Sequence, residues 1–357
     1  MAEKRKKTYP SIQDVAKEAG VSVATASRVL SNSSYPVTQA LKKKVIKAAK
    51  DLNYTPNLLG KMLKSNSVMA IGVIVPTLQN PFFNQVILGI EAAARNSDYE
   101  VIIFSSHRSI EQERKNIMTL LQNRVMALII MSIDDKPDAL QNYMDCGGTV
   151  ALLESDFKLS RGVKAEINYF EAGELAASHL IDTGHRNIAF LTSPLTKNYR
   201  RQILDGVKHC FEKNKIDFSE KDVFVANAEE ESDTGLYEFE LGRKLVKDFM
   251  KQRKKYSAII AINDITAFGI IQALTQNGIK VPEDVSVISF DNITYSEMIS
   301  PPLTTVELHS SAMGSTACKL LISSVLSSAE SGPDVSFNYP CRLEERQSIK
   351  TLNHDKK

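Results

Sequence analysis

The chain has 357 residues, of which 43% are hydrophobic and 24% charged, with a formal net charge of +2; this is the composition of a globular protein with room for two or three domains. No apolar run is long enough to span a bilayer and no apolar signal segment follows MAEKRKK, so we expect a cytoplasmic protein without a membrane partner. The four cysteines are scattered without a Cys-x-x-Cys pair, which excludes a disulfide framework or a zinc site and suits free buried thiols.

The charge is divided unevenly along the chain. Residues 1–65 hold 13 Lys and Arg against four acidic residues, whereas the remainder holds 31 basic against 38 acidic residues. The two parts therefore carry +9 and −7, which indicates a basic module that meets a polyanion, joined to a body that does not. A solvated basic tail is the alternative, but only MAEKRKK resembles one.

Three helices are predicted in the first 55 residues, at 12–19, 23–30 and about 38–52. Ser11 and Asp14 have the spacing of an N-terminal capping box. Gly20 ends the first helix, and Ser22 can cap the second. The third presents an apolar face formed by Leu41, Val45, Ile46, Ala49 and Leu52. Two short helices joined by a glycine-containing turn predict a helix-turn-helix.

The second of these helices is built mostly from small residues. Val21, Ala26 and Val29 are expected to face inward. The residues expected to face DNA are Ser22, Val23, Ala24, Thr25, Ser27 and Arg28. Short side chains let such a helix lie deep in a major groove, where Arg28 can reach a guanine edge or a phosphate. A three-helix bundle without a ligand is the alternative, which the charge of +9 disfavours.

The segment TPNLLGKMLKSNS, which follows Tyr54, places four large apolar residues within six positions. Gly60 costs it about 1 kcal/mol of helix propensity, and a helix this short is marginal alone in water. We therefore predict a hinge at 56–66 that folds only against a partner; a plain linker is the alternative.

From Val68 onward, apolar β-rich runs alternate with helical stretches, beginning with VMAIGVIVP and ending with DVSVISFDN. This alternation predicts parallel sheets covered by helices on both faces. A body of nearly 290 residues favours two similar halves over one sheet, and ligands in such folds bind beyond the carboxyl ends of the strands.

In its motifs the chain resembles the lactose-repressor (LacI/GalR) family of bacterial transcription regulators over nearly its whole length. The motifs are SIQDVAKEAGVSVATASRVL, LNYTPN, GVIVPTLQNPFF, HLIDTGHRNIAFL, VPEDVSVISFDN, PPLTTV and Arg346-Gln347-Ser348. The resemblance implies an α/β protein with an N-terminal all-α helix-turn-helix domain. It also implies a periplasmic-binding-protein-like core of two doubly wound α/β subdomains, joined by three crossovers.

The resemblance also implies domain boundaries. They are 1–55 for the DNA-binding domain, 56–66 for the hinge helix or linker, 67–350 for the core and 351–357 for a tail. Within the core, the N-subdomain is expected at about 67–165 and 293–326, and the C-subdomain at about 166–292 and 327–350.

The function that the resemblance implies is transcriptional repression. A homodimer, or a dimer of dimers, would bind a palindromic operator, with no cofactor and no enzyme activity. A small molecule, a sugar or a related metabolite, is expected between the subdomains, where it alters the approach of two hinge helices. Val23 and Ala24 match the positions that choose the operator, and Arg28 matches a base- or phosphate-contacting arginine. The hinge residues assigned to DNA are Asn57, Leu63 and Lys64; the leucine matches one that wedges into a minor-groove step.

Four residues are assigned to the effector by the same resemblance: Phe82, Phe83, Asp264 and Asp291. The phenylalanines belong to a motif like the first cleft loop of the family, and the aspartates match acidic positions that commonly take ligand hydroxyls. As alternatives, the phenylalanines could be core, Asn263 or Asp264 could cap the helix that follows, and Asp291 could close a turn.

The chain also departs from the family pattern. Ile203 stands where the family usually has a ligand-binding arginine, Ile167 replaces a frequent aspartate, and Met126-Ala127 replaces a common Asp-Gly. In the hinge, Gly60 replaces a usual alanine. The first three departures make a pentose or hexose bound in the usual way a weaker expectation than for a typical member.

Three other functions are alternatives to this one. An enzyme is disfavoured, because the body has no phosphate-binding or nucleophile motif and its histidines lack metal-ligand spacing. A periplasmic solute-binding protein would match the body but not the basic helix-turn-helix. A third alternative keeps the DNA-binding role and makes the regulator a protein partner, a phosphorylated carrier protein.

Overall fold

The computed structural model describes residues 10–30, 36–52, 54, 69–154, 162–227, 237–252, 254–327 and 336–352. The chain divides into two compact units, with the boundary between Val68 and Met69. Within the described ranges, no helix has both the length and the apolar character needed to cross a membrane.

The first unit contains the three predicted helices, α1 (Ile12–Ala19), α2 (Val23–Leu30) and α3 (Gln39–Asp51). Ser11 and Asp14 form the predicted capping box at the start of α1, and Gly20 ends it with a φ of 65°. Ser22 Oγ accepts a hydrogen bond from the Thr25 amide at 3.1 Å and so caps α2. Local sequence signals therefore set the ends of both helices.

The core of this unit lies between the three helices. Its buried members are Val15, Ala16, Ala26, Val29, Val45, Ala48 and Ala49. Ile46, which was predicted to face this core, is 50% exposed. The buried positions of α3 follow the i, i+3, i+4 pattern from Val45, and this pattern turns the next residue outward.

The second unit contains two six-stranded sheets and eight α-helices in the described ranges. Its strands are β1 (Ala70–Val75), β2 (Glu100–Ser105), β3 (Ala127–Ile130), β4 (Thr149–Leu153), β5 (Val163–Ile167), β6 (Ile188–Thr192), β7 (Val223–Val225), β8 (Ala258–Ala261), β9 (Ser286–Asp291), β10 (Thr304–Glu307), β11 (Ser336–Tyr339) and β12 (Arg342–Glu344). Its helices are α4 (Pro81–Arg95), α5 (Ile110–Gln122), α6 (Asp138–Asp145), α7 (Tyr169–Asp182), α8 (Asn198–Lys213), α9 (Tyr237–Met250), α10 (Asp264–Gln276) and α11 (Ser310–Ser327).

The two sheets define two subdomains. The N-subdomain contains the sheet with strand order β11-β5-β4-β3-β1-β2, and the C-subdomain contains the sheet with order β12-β10-β9-β8-β6-β7. All pairings are parallel except that of β10 with β12. Strands such as β1 and β9 are buried along their whole length, as parallel strands covered on both faces must be.

Strand pairings in the described ranges place two of the crossings between the subdomains later than predicted. β10 pairs with β9 in the C-subdomain, so the chain returns to the N-subdomain after Leu308 and not at 293. β11 pairs with β5 in the N-subdomain, so the last crossing falls near residue 340 and not at 327. The sequence of β10, TTVE, lacks the apolar run that marked the other strands, so its place in the sheet depends on tertiary pairing.

Three pairs of helices cross at glycines. The pairs are Gly89 with Gly314 (α4 and α11), Gly173 with Gly206 (α7 and α8) and Gly242 with Gly269 (α9 and α10). A Cβ atom on any of these glycines would lie 1.9–2.2 Å from a carbonyl oxygen of the partner helix. Because that oxygen belongs to regular helical backbone, it cannot move aside, and each crossing requires glycine on both helices.

The cysteines are free thiols, but they are not all buried. Cys210 and Cys318 are buried, Cys341 is half-buried, and Cys146 is exposed because it follows the last turn of α6 at the surface. Burial raises the pKa of Cys318 to about 11 and that of Cys341 to about 12, so these thiols are poor nucleophiles at neutral pH.

Candidate DNA-binding surface and effector cleft

The residues of α2 that were predicted to face DNA lie outside the buried core of the first unit. Val23, Ala24 and Arg28 are exposed, and Thr25 and Ser27 are half-buried. Ala26 and Val29 face the core of the bundle. The exposed surface is shallow apart from the arginine, which is the shape that a recognition helix needs to enter a major groove.

Ser22 and Thr25 have a role within the unit as well as a predicted one on DNA. Their hydroxyl oxygens lie 2.9 Å apart, and Ser22 also caps α2 through the Thr25 amide. Contact of these hydroxyls with DNA stays a prediction. The hinge residues Asn57, Leu63 and Lys64 lie outside the described residues, as does Gly60, so their roles also stay predictions.

A cavity of about 360 Å³ lies between the two subdomains. Phe82 and Phe83 line it from the start of α4, and Asp291 lines it from the end of β9. These are strand ends and helix starts, the usual place for ligands in doubly wound folds. The volume is in the range of pockets that enclose small ligands.

Aromatic rings form much of the cavity wall. The rings of Phe82 and Phe83 meet edge to face with 5.5 Å between centroids, and those of Tyr169 and Tyr199 lie 5.4 Å apart. Asn80 fixes the start of α4, because its Oδ1 accepts the Phe82 amide at 2.9 Å. Both phenylalanines also pack against the hydrophobic core, so they serve as core and as cavity wall at once.

Asp291 presents its carboxylate to the cavity from a constrained backbone. Its φ is 111° and that of Asn292 is 51°, both in a region that side chains rarely adopt. The side chain is 7% exposed, and no group among the described residues donates a hydrogen bond to its carboxylate. Burial raises its pKa well above the ordinary value, and the nearby carboxylates of Asp264, Glu238, Glu307 and Glu154 raise it further.

The assignment of Asp264 to the effector is corrected by its surroundings. The side chain is fully buried and does not line the cavity. Its two oxygens accept hydrogen bonds from four donors: Ser289 Oγ, Thr305 Oγ1 at 2.7 Å, Ser296 Oγ at 2.5 Å and the Ile293 amide at 2.9 Å. With these acceptor sites occupied from within the C-subdomain, Asp264 holds the segment after β9 in place. The cap of α10 is Asn263, whose Oδ1 accepts the Thr266 amide at 2.9 Å.

Glu238, in the first turn of α9, joins the two subdomains across the cavity. Its Oε2 accepts a hydrogen bond from Asn80 Nδ2 at 2.8 Å, and its Oε1 forms an ion pair with Arg108 Nη2 at 3.3 Å. Within its own subdomain it also accepts a hydrogen bond from Asn263 Nδ2 at 3.2 Å. One carboxylate therefore receives donors from both sides of the cleft.

The loop of residues 132–135, which follows β3 and lines the cavity, is held by a second buried carboxylate. Glu113 accepts hydrogen bonds from Ser132 Oγ at 2.6 Å and from the Ile133 amide at 2.9 Å. Burial raises the pKa of Glu113. Arg114 adds an ion pair to Asp134 at 2.7 Å, so the loop is anchored at both of its ends to α5.

Sequence reasoning missed several cavity residues. Glu154 directly follows β4 and lines the cavity beside Tyr169, whose pKa is raised by burial and then by this carboxylate. The rule that ligands bind at strand ends could have found Glu154. Glu238 has no such signal, because it lies in a helix that no motif marked. Arg200, next to the unusual Ile203 in sequence, also lines the cavity.

The chain joins a small basic helix-turn-helix unit to a two-subdomain core with a ligand-sized cleft. These features together define a class of protein, the ligand-controlled DNA-binding regulators. Comparison with known proteins agrees. Residues 11–57 match the family model of bacterial regulatory proteins of the lacI family, and residues 177–349 match that of the periplasmic binding protein-like domain.

Relatives align over most of the chain. An HTH-type transcriptional repressor PurR from Vibrio parahaemolyticus is 34% identical over 87% of this chain and 91% of its own length. Another PurR repressor, from Vibrio atlanticus, is 31% identical over 96% of this chain and 99% of its own. Among solved structures, the lac repressor dimer bound to operator and the anti-inducer ONPF is 25% identical, with a TM-score of 0.79 over 96% of this chain and 100% of its own.

The chain belongs to the LacI family of bacterial transcriptional regulators. It is a DNA-binding transcriptional repressor controlled by a small-molecule effector, and regulators of this family bind operator DNA as dimers. Its relatives are repressors and not enzymes.

Proposed function

We propose that this protein acts in the cytoplasm as a homodimer on a palindromic operator, and that a metabolite, a sugar or a related compound, changes its operator affinity from the cleft. The observation that carries the proposal is the cavity between the subdomains, into which Asp291 presents a buried carboxylate. A ligand with hydroxyl or N–H groups can supply the donors that this carboxylate lacks among the described residues.

For DNA, we propose that α2 enters the major groove and that Val23, Ala24 and Arg28 read the operator. Their exposure on the outer face of α2 supports this, as does the likeness to a lac repressor dimer solved on its operator. Asn57, Leu63 and Lys64 would add minor-groove and backbone contacts from the hinge, a proposal that rests on the sequence alone.

The DNA contacts are tested with an operator selected from random duplexes and measured by fluorescence anisotropy. We expect Arg28→Ala to weaken binding by about 1–3 kcal/mol, with most of the loss at one base position per half-site. Lys50→Ala is the matched control, because it removes one positive charge from an exposed position of α3. An equal loss on every sequence would make Arg28 a phosphate contact, and an equal effect of the two variants would contradict the proposed reading by α2.

The effector is sought by thermal shift with sugars, sugar phosphates, nucleosides and the phosphorylated carrier protein. We expect a compound that stabilises the wild type and changes its operator affinity, and whose effect is lost in Asp291→Asn and reduced in Phe83→Ala. An effector that stabilises both variants as much as the wild type would place its site outside the cleft. Stabilisation by the carrier protein alone would favour a protein regulator.

A further inference from the structure

The cavity between the subdomains contains more acidic than basic side chains. The acidic residues that line it are Asp134, Asp135, Glu154, Glu238 and Asp291, and the basic ones are Arg108, Lys197 and Arg200. The composition of the wall therefore favours a ligand with positive charge over one with negative charge.

The three basic side chains are already engaged by protein acceptors. Arg108 is paired with Glu238 at 3.3 Å, and Lys197 with Asp135 at 3.6 Å. Arg200 is buried and donates to the main-chain oxygen of residue 194 at 2.8 Å and to a tyrosine hydroxyl at 2.9 Å. An anionic ligand would therefore have to share these cations with acceptors that the protein already supplies.

Asp291 is in the opposite situation. No donor among the described residues reaches its carboxylate, and the charged groups that act on it most strongly are the carboxylates of Asp264, Glu238, Glu307 and Glu154. The cavity wall gives no compensation at position 203, where a buried isoleucine takes the place of the arginine common in the family. A buried carboxylate in such surroundings is costly to ionise unless a cation enters with the ligand.

We propose that the effector carries a protonated nitrogen, an ammonium or amidinium group, which pairs with Asp291, and that it carries no anionic group. The aromatic wall of Phe82, Phe83 and Tyr199 fits a compact ring that bears this nitrogen, and the cavity of about 360 Å³ limits its size. This inference rests on the proposed function of the cleft as the effector site.

The physical gain from such a ligand is larger than that from a hydroxyl group. A hydroxyl and a cationic N–H both form charge-assisted hydrogen bonds with an ionised carboxylate, but only the cationic group adds the attraction of an ion pair. It also reduces the repulsion between Asp291 and the acidic groups around it. A phosphate or carboxylate on the ligand would add to that repulsion.

The test measures binding by isothermal titration calorimetry with matched probes. One set is glucosamine, glucose and glucose 6-phosphate; a second is galactosamine, galactose and galactose 6-phosphate; a third is benzamidine, benzyl alcohol and benzoate. We expect at least one cationic probe to bind at least tenfold more tightly than its neutral and anionic partners. Asp291→Asn, which keeps the side-chain shape and removes the charge, should abolish this preference.

Asp248→Asn is the matched control, because it removes an exposed carboxylate of α9 whose partner is Lys251, away from the cavity. It should keep the preference. Tighter binding of a neutral or anionic probe, the failure of every cationic probe to bind, or a preference that persists in Asp291→Asn would overturn the inference.

The same data separate this inference from the proposed function. If neutral or anionic probes bind and Phe83→Ala weakens them, the cleft is an effector site and only the cationic ligand is refuted. If cationic probes bind but neither Asp291→Asn nor Phe83→Ala affects them, binding occurs elsewhere, and both the inference and the proposed cleft fail. Circular dichroism of each variant confirms that it is folded.

Discussion

Replacing Asp264 with alanine should destabilise the second unit strongly, whereas the same change at Asp291 should not. Both aspartates are buried, and their sequence contexts gave them the same assignment. They differ in their partners: Asp264 accepts hydrogen bonds from four protein donors, while Asp291 accepts none from the described residues. The contrast between the two variants therefore isolates the contribution of that hydrogen-bond network.

The magnitude follows from the donors that Asp264→Ala leaves without an acceptor. The Ile293 amide is fixed by the backbone and loses about 2 kcal/mol, while the three hydroxyls can rotate and lose about 1 kcal/mol each. Removing a buried carboxylate also removes its desolvation cost, which offsets roughly 2 kcal/mol of this loss. The free energy of unfolding should fall by about 3 kcal/mol. Asp291→Ala orphans no protein donor and also removes a desolvation cost, so it should leave the free energy of unfolding unchanged or raise it by up to about 2 kcal/mol.

The assay is urea unfolding at pH 7, followed by far-UV circular dichroism because the chain contains no tryptophan. With a slope of about 3 kcal/mol/M, the midpoint of the larger unit should fall by about 1 M for Asp264→Ala. Equal midpoints for Asp264→Ala and Asp291→Ala, or a lower one for Asp291→Ala, would refute the structural role given to the network.

Three further predictions follow from the second unit. Burial and acidic neighbours raise the pKa of Asp291 above its unfolded value, so its ionisation lowers the stability of the folded state as the pH rises through the folded pKa. In thermal scans without effector, Asp291→Asn should therefore have a higher melting temperature than the wild type at pH 8. Near pH 4, the two proteins should have the same melting temperature. Gly206→Ala would place a Cβ 2.0 Å from the Phe170 carbonyl oxygen and should lower the free energy of unfolding by about 3 kcal/mol, measured in urea. Glu238→Gln should weaken the bridge across the cleft and speed hydrogen exchange at residues 82–86, whereas Glu240→Gln, on the exposed side of the same helix, should leave it unchanged.

Local sequence was sufficient for the small domain. Its helix ends depend on contacts between residues three or four apart, such as Ser11 with Asp14 and Ser22 with Thr25, and such contacts can be inferred from spacing. The exposed face of α2 follows from helical periodicity in the same way. Ile46 was wrongly placed on the core face, because the buried positions Val45, Ala48 and Ala49 follow the i, i+3, i+4 pattern and this turns Ile46 outward.

The architecture of the core was also determined by sequence, because apolar runs alternating with helices allow few folds other than parallel sheets. The subdomain boundaries were not. β10 and β11 have too little apolar sequence to mark them as strands of a particular sheet. β11 is placed by pairing with β5, more than a hundred residues earlier in the chain. β10 has an antiparallel neighbour, β12, that comes later in the chain.

Which residues form the cavity depended on tertiary structure more than the architecture of the core did. The motifs brought Phe82, Phe83 and Asp291 to the right place, since strand ends and helix starts converge in this fold. No local pattern could show that Asp264 turns away to serve four internal donors, or that Glu238 bridges the cleft. Those outcomes depend on where hydroxyl, amide and guanidinium groups from distant segments come to lie, and a buried carboxylate takes its role from the donors that surround it.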